Sequence, residues 1–166
     1  MRRLQITKVS GKNSLHLWWR VKNPLRTAFN YCLIQISKKI PSLSIKNLLL
    51  SLTGIRIGKD VSIAPDVDFD FLYPELIEVG ENSIIGYGAV ILAHEFLIDQ
   101  FRVGRVRIGK NVVVGARSIL LAGIEIRDNA TVGAGSIVTK NVGKNQLVCG
   151  SPARIIRKQG KTHENH

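Results

Sequence analysis

The chain has 166 residues, 45% of them hydrophobic, enough for one domain with a real core and room for a small appendage. No stretch reaches the roughly 18 uncharged apolar residues of a membrane span, and the two cysteines, Cys32 and Cys149, lack a metal-ligand or CxxC spacing and are read as reduced, small apolar residues. The net charge of +12 sits at the ends: residues 1–50 hold ten Lys and Arg and no acid, while residues 51–147 hold ten basic and eleven acidic side chains.

The first element is a basic arm, residues 1–54. Lys8, Lys12 and Arg20 interrupt any apolar run that would serve as a signal peptide, so a cytoplasmic chain is expected. Asn23-Pro24 reads as an N-cap followed by proline at the first helical position, and Leu25, Ala28, Phe29, Cys32, Leu33, Ile36 and Ile40 follow at helical spacing. Pro41 ends that helix. Ser42 can cap a second one carrying Leu43, Leu48, Leu49 and Leu52, with Gly54 placed to stop it. The charge could mark a nucleic-acid contact, but no recognised nucleic-acid motif accompanies it and none is expected.

From residue 55 the pattern changes. A valine, isoleucine or leucine recurs at every sixth position from Ile108 through Val114, Leu120, Ile126 and Val132 to Val138, and the same phase appears earlier at Ile57, Ile63, Val79, Ile85 and Ile91. A helix repeats at 3.6 residues and a strand at 2, so a strict six means short strands broken by corners at fixed intervals. The residue two before each repeat position is apolar or small as well, so both point inward. Gly109, Gly115 and Gly133 stand at the bends, where a side chain would crowd or where φ must be positive. Units that cannot bury a face alone must stack, and the expected fold is an all-β solenoid. The arm then has two readings: its helices cover the open end of the solenoid, or they form a basic amphipathic hairpin resting peripherally on the anionic inner face of a membrane, with Trp18 and Trp19 at the headgroups.

The solenoid, residues 55–147, is interrupted after Ile91 by Ala93-His94-Glu95-Phe96-Leu97-Ile98-Asp99-Gln100-Phe101-Arg102-Val103-Gly104, an extruded loop assigned to residues 94–106. His16, His163 and His166 lie outside the repeat, so His94 stands alone within it. An imidazole near its ordinary pKa suits removal of a proton from an attacking hydroxyl. Adjacent side chains of an extended backbone point to opposite faces, so Glu95 does not easily reach the His94 ring. Asp99, Asp70 or a backbone carbonyl are the alternatives. A second, acidic insertion runs from Asp66 to Glu75.

The repeat, the His94 segment and the closing Gly150-Ser151-Pro152-Ala153-Arg154 together resemble the hexapeptide-repeat acyltransferases, most closely the maltose, galactoside and nodulation O-acetyltransferase branch. The resemblance covers roughly residues 55 to 158. It implies a left-handed parallel β-helix, against the general preference for right-handed crossovers, and acetyl-CoA as the acyl donor. By the same resemblance His94 is the catalytic base, with Glu95 assigned to the site in an undecided role. Gly115, Ala116 and Ala134 would lie along the pantetheine arm, Thr139 and Lys140 near the nucleotide, and Arg154 and Arg157 at the coenzyme's phosphates. A homotrimer with sites between subunits is implied too. Eighteen residues per coil stack Ile119 over Ile137 on one outer face, an apolar column suited to such an interface. Asp70 and Tyr73 are candidate ligands for the hydroxyls of a sugar or similar small acceptor. The fold's zinc-dependent members need three histidines as ligands and only His94 is available, so no metal is expected. A catalytically silent scaffold or membrane-docking module is the competing reading. Residues 148–166 form a basic tail.

Overall fold

The computed structural model describes residues 2–158. The end of the basic tail, with His163 and His166, lies outside the described residues. Four coils form a triangular left-handed parallel β-helix. The first coil comprises β2 (Arg56–Ile57), β3 (Ser62–Ile63) and β4 (Asp68–Phe69), and the second β5 (Ile77–Val79), β6 (Ile84–Ile85) and β7 (Val90–Ile91). A hairpin of β8 (His94–Phe96) and β9 (Gln100–Val103) intervenes. The third coil is β10 (Val106–Ile108), β11 (Val113–Val114) and β12 (Ile119–Leu120), and the fourth β13 (Glu125–Ile126), β14 (Thr131–Val132) and β15 (Ile137–Val138). The antiparallel pair β16 (Gln146–Gly150) and β17 (Ala153–Lys158) closes the C-terminal end.

Register follows the six-residue beat. Val114 pairs with Val132 and Leu120 with Val138, eighteen positions apart. Ile63 pairs with Ile85 and Ile85 with Val114, so the spacing widens to 22 and then 29 in the earlier coils. Both surplus segments leave the prism at one corner, after β4 and after β7. The repeat residues and those two before them fill the core: Ile85, Ile91, Val112, Leu120, Ile124 and Ile126 are fully buried. Ser83, Ser118 and Ser136 are buried there too, and their hydroxyls bond the backbone of neighbouring coils. Each coil buries only three short strands, so stability comes from stacking.

The bend glycines are required by crowding. A Cβ on Gly115 would stand 2.4 Å from Ala134 N, and one on Gly86 would stand 2.6 Å from Ala116 N. Positive φ falls two residues later, at Asp60, Asp66, Asn82, Asn111, Arg117 and Asn129, with Gly88, Gly123 and Gly135 in the same phase. Asn and Asp tolerate the left-handed region better than other side chains, which explains this second beat.

The arm begins with β1 (Gln5–Lys8), which pairs antiparallel with β9 and makes the hairpin three-stranded. A helical turn, α1 (Trp18–Val21), leads to α2 (Pro24–Lys39) and α3 (Leu43–Leu52). Asn23 Oδ1 accepts from the backbone N–H groups of Leu25 and Arg26, and Pro24 occupies the first helical position. The two helices cover the N-terminal end of the solenoid, yet with the face opposite to the one their apolar spacing suggests. Thr27, Asn30, Ile34 and Ser37 of α2 and Lys46 and Leu50 of α3 are buried, whereas Leu25 is 83% exposed and Leu48 61%. The end coil has outward-pointing carbonyls that need donors. Asn47 Nδ2 donates to Val61 O at 2.9 Å, Lys46 Nζ to Ile63 O at 3.0 Å and Asn30 Nδ2 to Phe71 O at 3.1 Å. Burial holds the Lys46 ammonium below the ordinary lysine pKa. Apolar side chains cannot satisfy those carbonyls, so the polar stripe turns inward.

Candidate active site

Every strand ending at the corner after β4 and β7 delivers its next residues to one edge of the prism, and this edge carries Asp70, His94, Thr139 and Lys140. Asp70 follows β4 and is buried, with no side-chain exposure. Its Oδ1 accepts from the backbone N–H groups of Leu72 and Tyr73, both at 2.9 Å. Its Oδ2 accepts from the N–H groups of Ala93 at 2.8 Å and His94 at 2.9 Å, and lies 2.5 Å from His94 Nδ1. Burial works to raise the Asp70 pKa. The bond to His94, the charge of that ring and the amides of Tyr73 and Ala93 outweigh burial and hold it below the ordinary carboxylate value. Asp70 is therefore ionised at neutral pH and can only accept. On the neutral imidazole the facing Nδ1 then carries the proton and donates, which leaves the Nε2 lone pair bare.

Asp70 was expected among the ligands of acceptor hydroxyls. Four backbone donors and an imidazole occupy its oxygens, so it has no capacity left for an acceptor. It is instead the group, among the alternatives left open by sequence, that contacts the His94 ring. Glu95 points the other way along β8, as strand alternation requires. Its carboxylate pairs with Arg2 Nη1 and, at 3.6 Å, with Arg102 Nη1. These pairs make Glu95 a tie between the hairpin and the N-terminal strand. Asp99 sits exposed at the hairpin tip.

Aromatic rings wall the imidazole. Phe96 lies edge-on at 4.9 Å between centroids, with Tyr73 at 6.1 Å and Phe101 at 6.3 Å. Phe96 stacks on Phe101 at 4.9 Å. Burial, then the nearby charges of Glu75 and Asp70, push the Tyr73 phenol up to about 12, so it stays a neutral donor. Lys22 Nζ sits 4.1 Å above the Tyr73 ring and also pairs with Glu75 Oε1 at 2.5 Å. The arm thus reaches the site through both Arg2 and Lys22, a contact that no local sequence pattern signals.

The residues assigned to the coenzyme fall on two edges. Gly115-Ala116 and Gly133-Ala134 stack one above the other at the corner after β11 and β14, forming a flat strip of small residues with Ala134 exposed. Such a strip suits an extended pantetheine arm. Thr139 and Lys140 stand on the other edge, with His94. Lys140 and Arg154 line one opening of about 330 Å³ at the C-terminal end, together with Val138, Val142, Val148 and Ala153. Arg154 and Arg157 are exposed on β17.

A sequence model described as the hexapeptide repeat of succinyl-transferase matches residues 105–140. The Bacillus subtilis (strain 168) protein named "Putative acetyltransferase YvoF" is 41% identical over 157 residues, covering 94% of this chain and 91% of its own. The crystal structure of a maltose O-acetyltransferase from Clostridium difficile 630 superposes with a TM-score of 0.64 at 25% identity, covering 84% of this chain and 90% of its own. A hexapeptide-repeat acetyltransferase of Vibrio cholerae, complexed with acetyl coenzyme A, shares the fold with a TM-score of 0.70 at 19% identity, covering 82% and 88%. With a relative of this identity along nearly its whole length, the chain belongs to the hexapeptide-repeat acetyltransferase family.

Proposed function

We propose that the chain moves an acetyl group from acetyl-CoA to a hydroxyl of a sugar or similar small acceptor, with His94 as general base and Asp70 as the residue that positions it. The observation that carries this reading is the contact between His94 Nδ1 and Asp70 Oδ2 at the edge of a coil. Held with Nδ1–H toward the carboxylate, the ring presents Nε2 to an incoming hydroxyl. The proton passes to Nε2 as the oxygen attacks the thioester carbonyl. Collapse of the tetrahedral adduct breaks the C–S bond, and the imidazolium returns the proton to the departing sulfur. Asp70 stabilises the imidazolium formed between the two steps, because it remains ionised in a buried site.

The acetyl-CoA donor and sugar acceptor are supported by the relatives, one solved with acetyl coenzyme A and one named for maltose. The wall of Tyr73, Phe96 and Phe101 suits the apolar face of a sugar ring, and Tyr73 offers a hydroxyl donor. The division of the coenzyme residues supports a trimer. One protomer keeps Gly115-Ala116 and Lys140 on different edges, and a second copy brings an edge of each kind together. The outer column Val90, Ile119 and Ile137 is apolar over the last three coils, with Asp68 in register in the first, and suits the contact. Acetyl-CoA should stabilise the protein against heat by several degrees, and thiol should be released when maltose or galactosides are supplied. Absence of both responses would overturn the reading.

A further inference from the structure

The helical cap leaves an apolar stripe without a partner. Leu25, Phe29 and Ile36 of α2 and Leu48 and Leu52 of α3 are between 44% and 83% exposed, and Trp19 just ahead of α2 is 52% exposed. Arg26 Nη2 donates to Leu52 O at 3.0 Å, which sets the start of α2 beside the end of α3, so the two stripes adjoin. A monomeric soluble surface rarely gathers this many large apolar side chains in one place. Scattered exposure does not explain it, because the exposed positions Leu25, Phe29, Cys32 and Ile36 follow helical spacing while the polar positions Thr27, Asn30 and Ser37 are buried.

Orientation and charge decide what covers this face. The buried donors of the cap reach carbonyls of the first coil that point away from the second, along the solenoid axis. The opposite face of α2 and α3 therefore looks outward along the axis, away from the flat sides through which coils of neighbouring copies would meet. No acidic residue precedes Asp60, while ten Lys and Arg lie in residues 1–50. Among these, Lys22, Lys38 and Lys39 are paired with Glu75, Asp68 and Asp66 of the solenoid. Arg20 and Arg26 instead lie over the rings of Trp19 and Phe29, at the margin of the apolar stripe. An apolar face rimmed by arginine and tryptophan, free of acids, complements a surface that is apolar within and negative at its rim.

We infer that the outward face of α2 and α3, with Trp19, docks on the interfacial region of an anionic lipid bilayer. Copies arranged about an axis parallel to the solenoids would present this face on one side, so an oligomer would gain from simultaneous engagement.

The test is co-sedimentation of the full chain with vesicles of phosphatidylglycerol and phosphatidylcholine in equal parts, against vesicles of phosphatidylcholine alone. Binding to the first and far weaker binding to the second is expected. Leu25→Gln with Leu48→Gln should weaken it by about ten-fold or more, since each leucine contributes apolar burial in the bilayer, with an unchanged melting temperature. Both tryptophans of the chain lie in the arm, so the unmutated protein gives a second readout, quenching of its fluorescence by brominated acyl chains in anionic vesicles. Failure of the unmutated chain to bind or to be quenched would overturn the proposal. So would a double variant that binds lipid normally but loses its oligomeric state in sedimentation, because the stripe would then face a second copy.

Discussion

Two edges of the same prism were built to opposite rules. The edge after β3, β6, β11 and β14 repeats Ala64, Gly86, Gly115 and Gly133 without interruption; Gly86 and Gly115 touch the backbone of the next coil too closely to admit a side chain, and Gly133 is held as closely by the Cys149 side chain. The edge after β4, β7, β12 and β15 is broken twice, by the segment between β4 and β5 and by the β8–β9 hairpin, and it carries the Asp70–His94 pair. The uninterrupted edge shows how the fold tolerates the broken one. Stacking energy is shared among coils, so a corner can extrude a segment at small entropic cost while the register above and below is kept. Chemistry collects where the corner is open, and smallness is kept where coils must meet.

The sharpest break in that comparison comes from the titrating edge. His94→Ala should lower acetyl transfer by about 10²- to 10⁴-fold while the thermal stabilisation by acetyl-CoA persists, and steady-state rates beside a melting assay would check this. Asp70→Asn should follow closely. An amide has only one accepting oxygen, so its NH₂ must confront the N–H groups of either Leu72 and Tyr73 or Ala93 and His94. We expect a stability loss of about 1–3 kcal/mol from the frustrated donors together with a fall in kcat. Because the folded pKa of Asp70 is depressed below 3.8, its contribution is complete above that value and lost as pH falls through the folded one. Melting temperature should therefore drop more steeply below pH 4 in the parent chain than in Asp70→Asn.

The closed edge predicts a different failure. Gly115→Val should destabilise the fold by roughly 1–3 kcal/mol or more, since even a Cβ meets Ala134 N at 2.4 Å, and denaturant melts would measure it. The smallest effects belong to the exposed cations. Lys140→Ala and Arg154→Ala should raise the KM for acetyl-CoA several-fold and change kcat little, because exposed charges act on binding and are screened.

The coils were legible because inward-facing residues at a fixed spacing leave no other architecture, and the interruption after Ile91 pointed to His94 for the same reason. A second beat, Asn, Asp or Gly three positions after most repeat residues, with Arg117 after Val114 an exception, was present in the sequence and marks the left-handed turn positions. Asp70 could be named only as one alternative, since 24 residues separate it from His94 and only the stacking of two coils brings them together. The arm's helices were legible, but not which face turns to the solenoid, because the demand of the Val61, Ile63 and Phe71 carbonyls for donors decides it. The pairing of β1 with the hairpin had no local signal beyond a short alternation.

Nitrogen-15 NMR of the His94 ring tests the central claim most directly, because everything in the mechanism depends on which nitrogen holds the proton. The neutral ring should show Nδ1 protonated and Nε2 bare in the parent protein, with that preference lost in Asp70→Asn. A neutral His94 protonated at Nε2, or a tautomer indifferent to Asp70, would contradict the account.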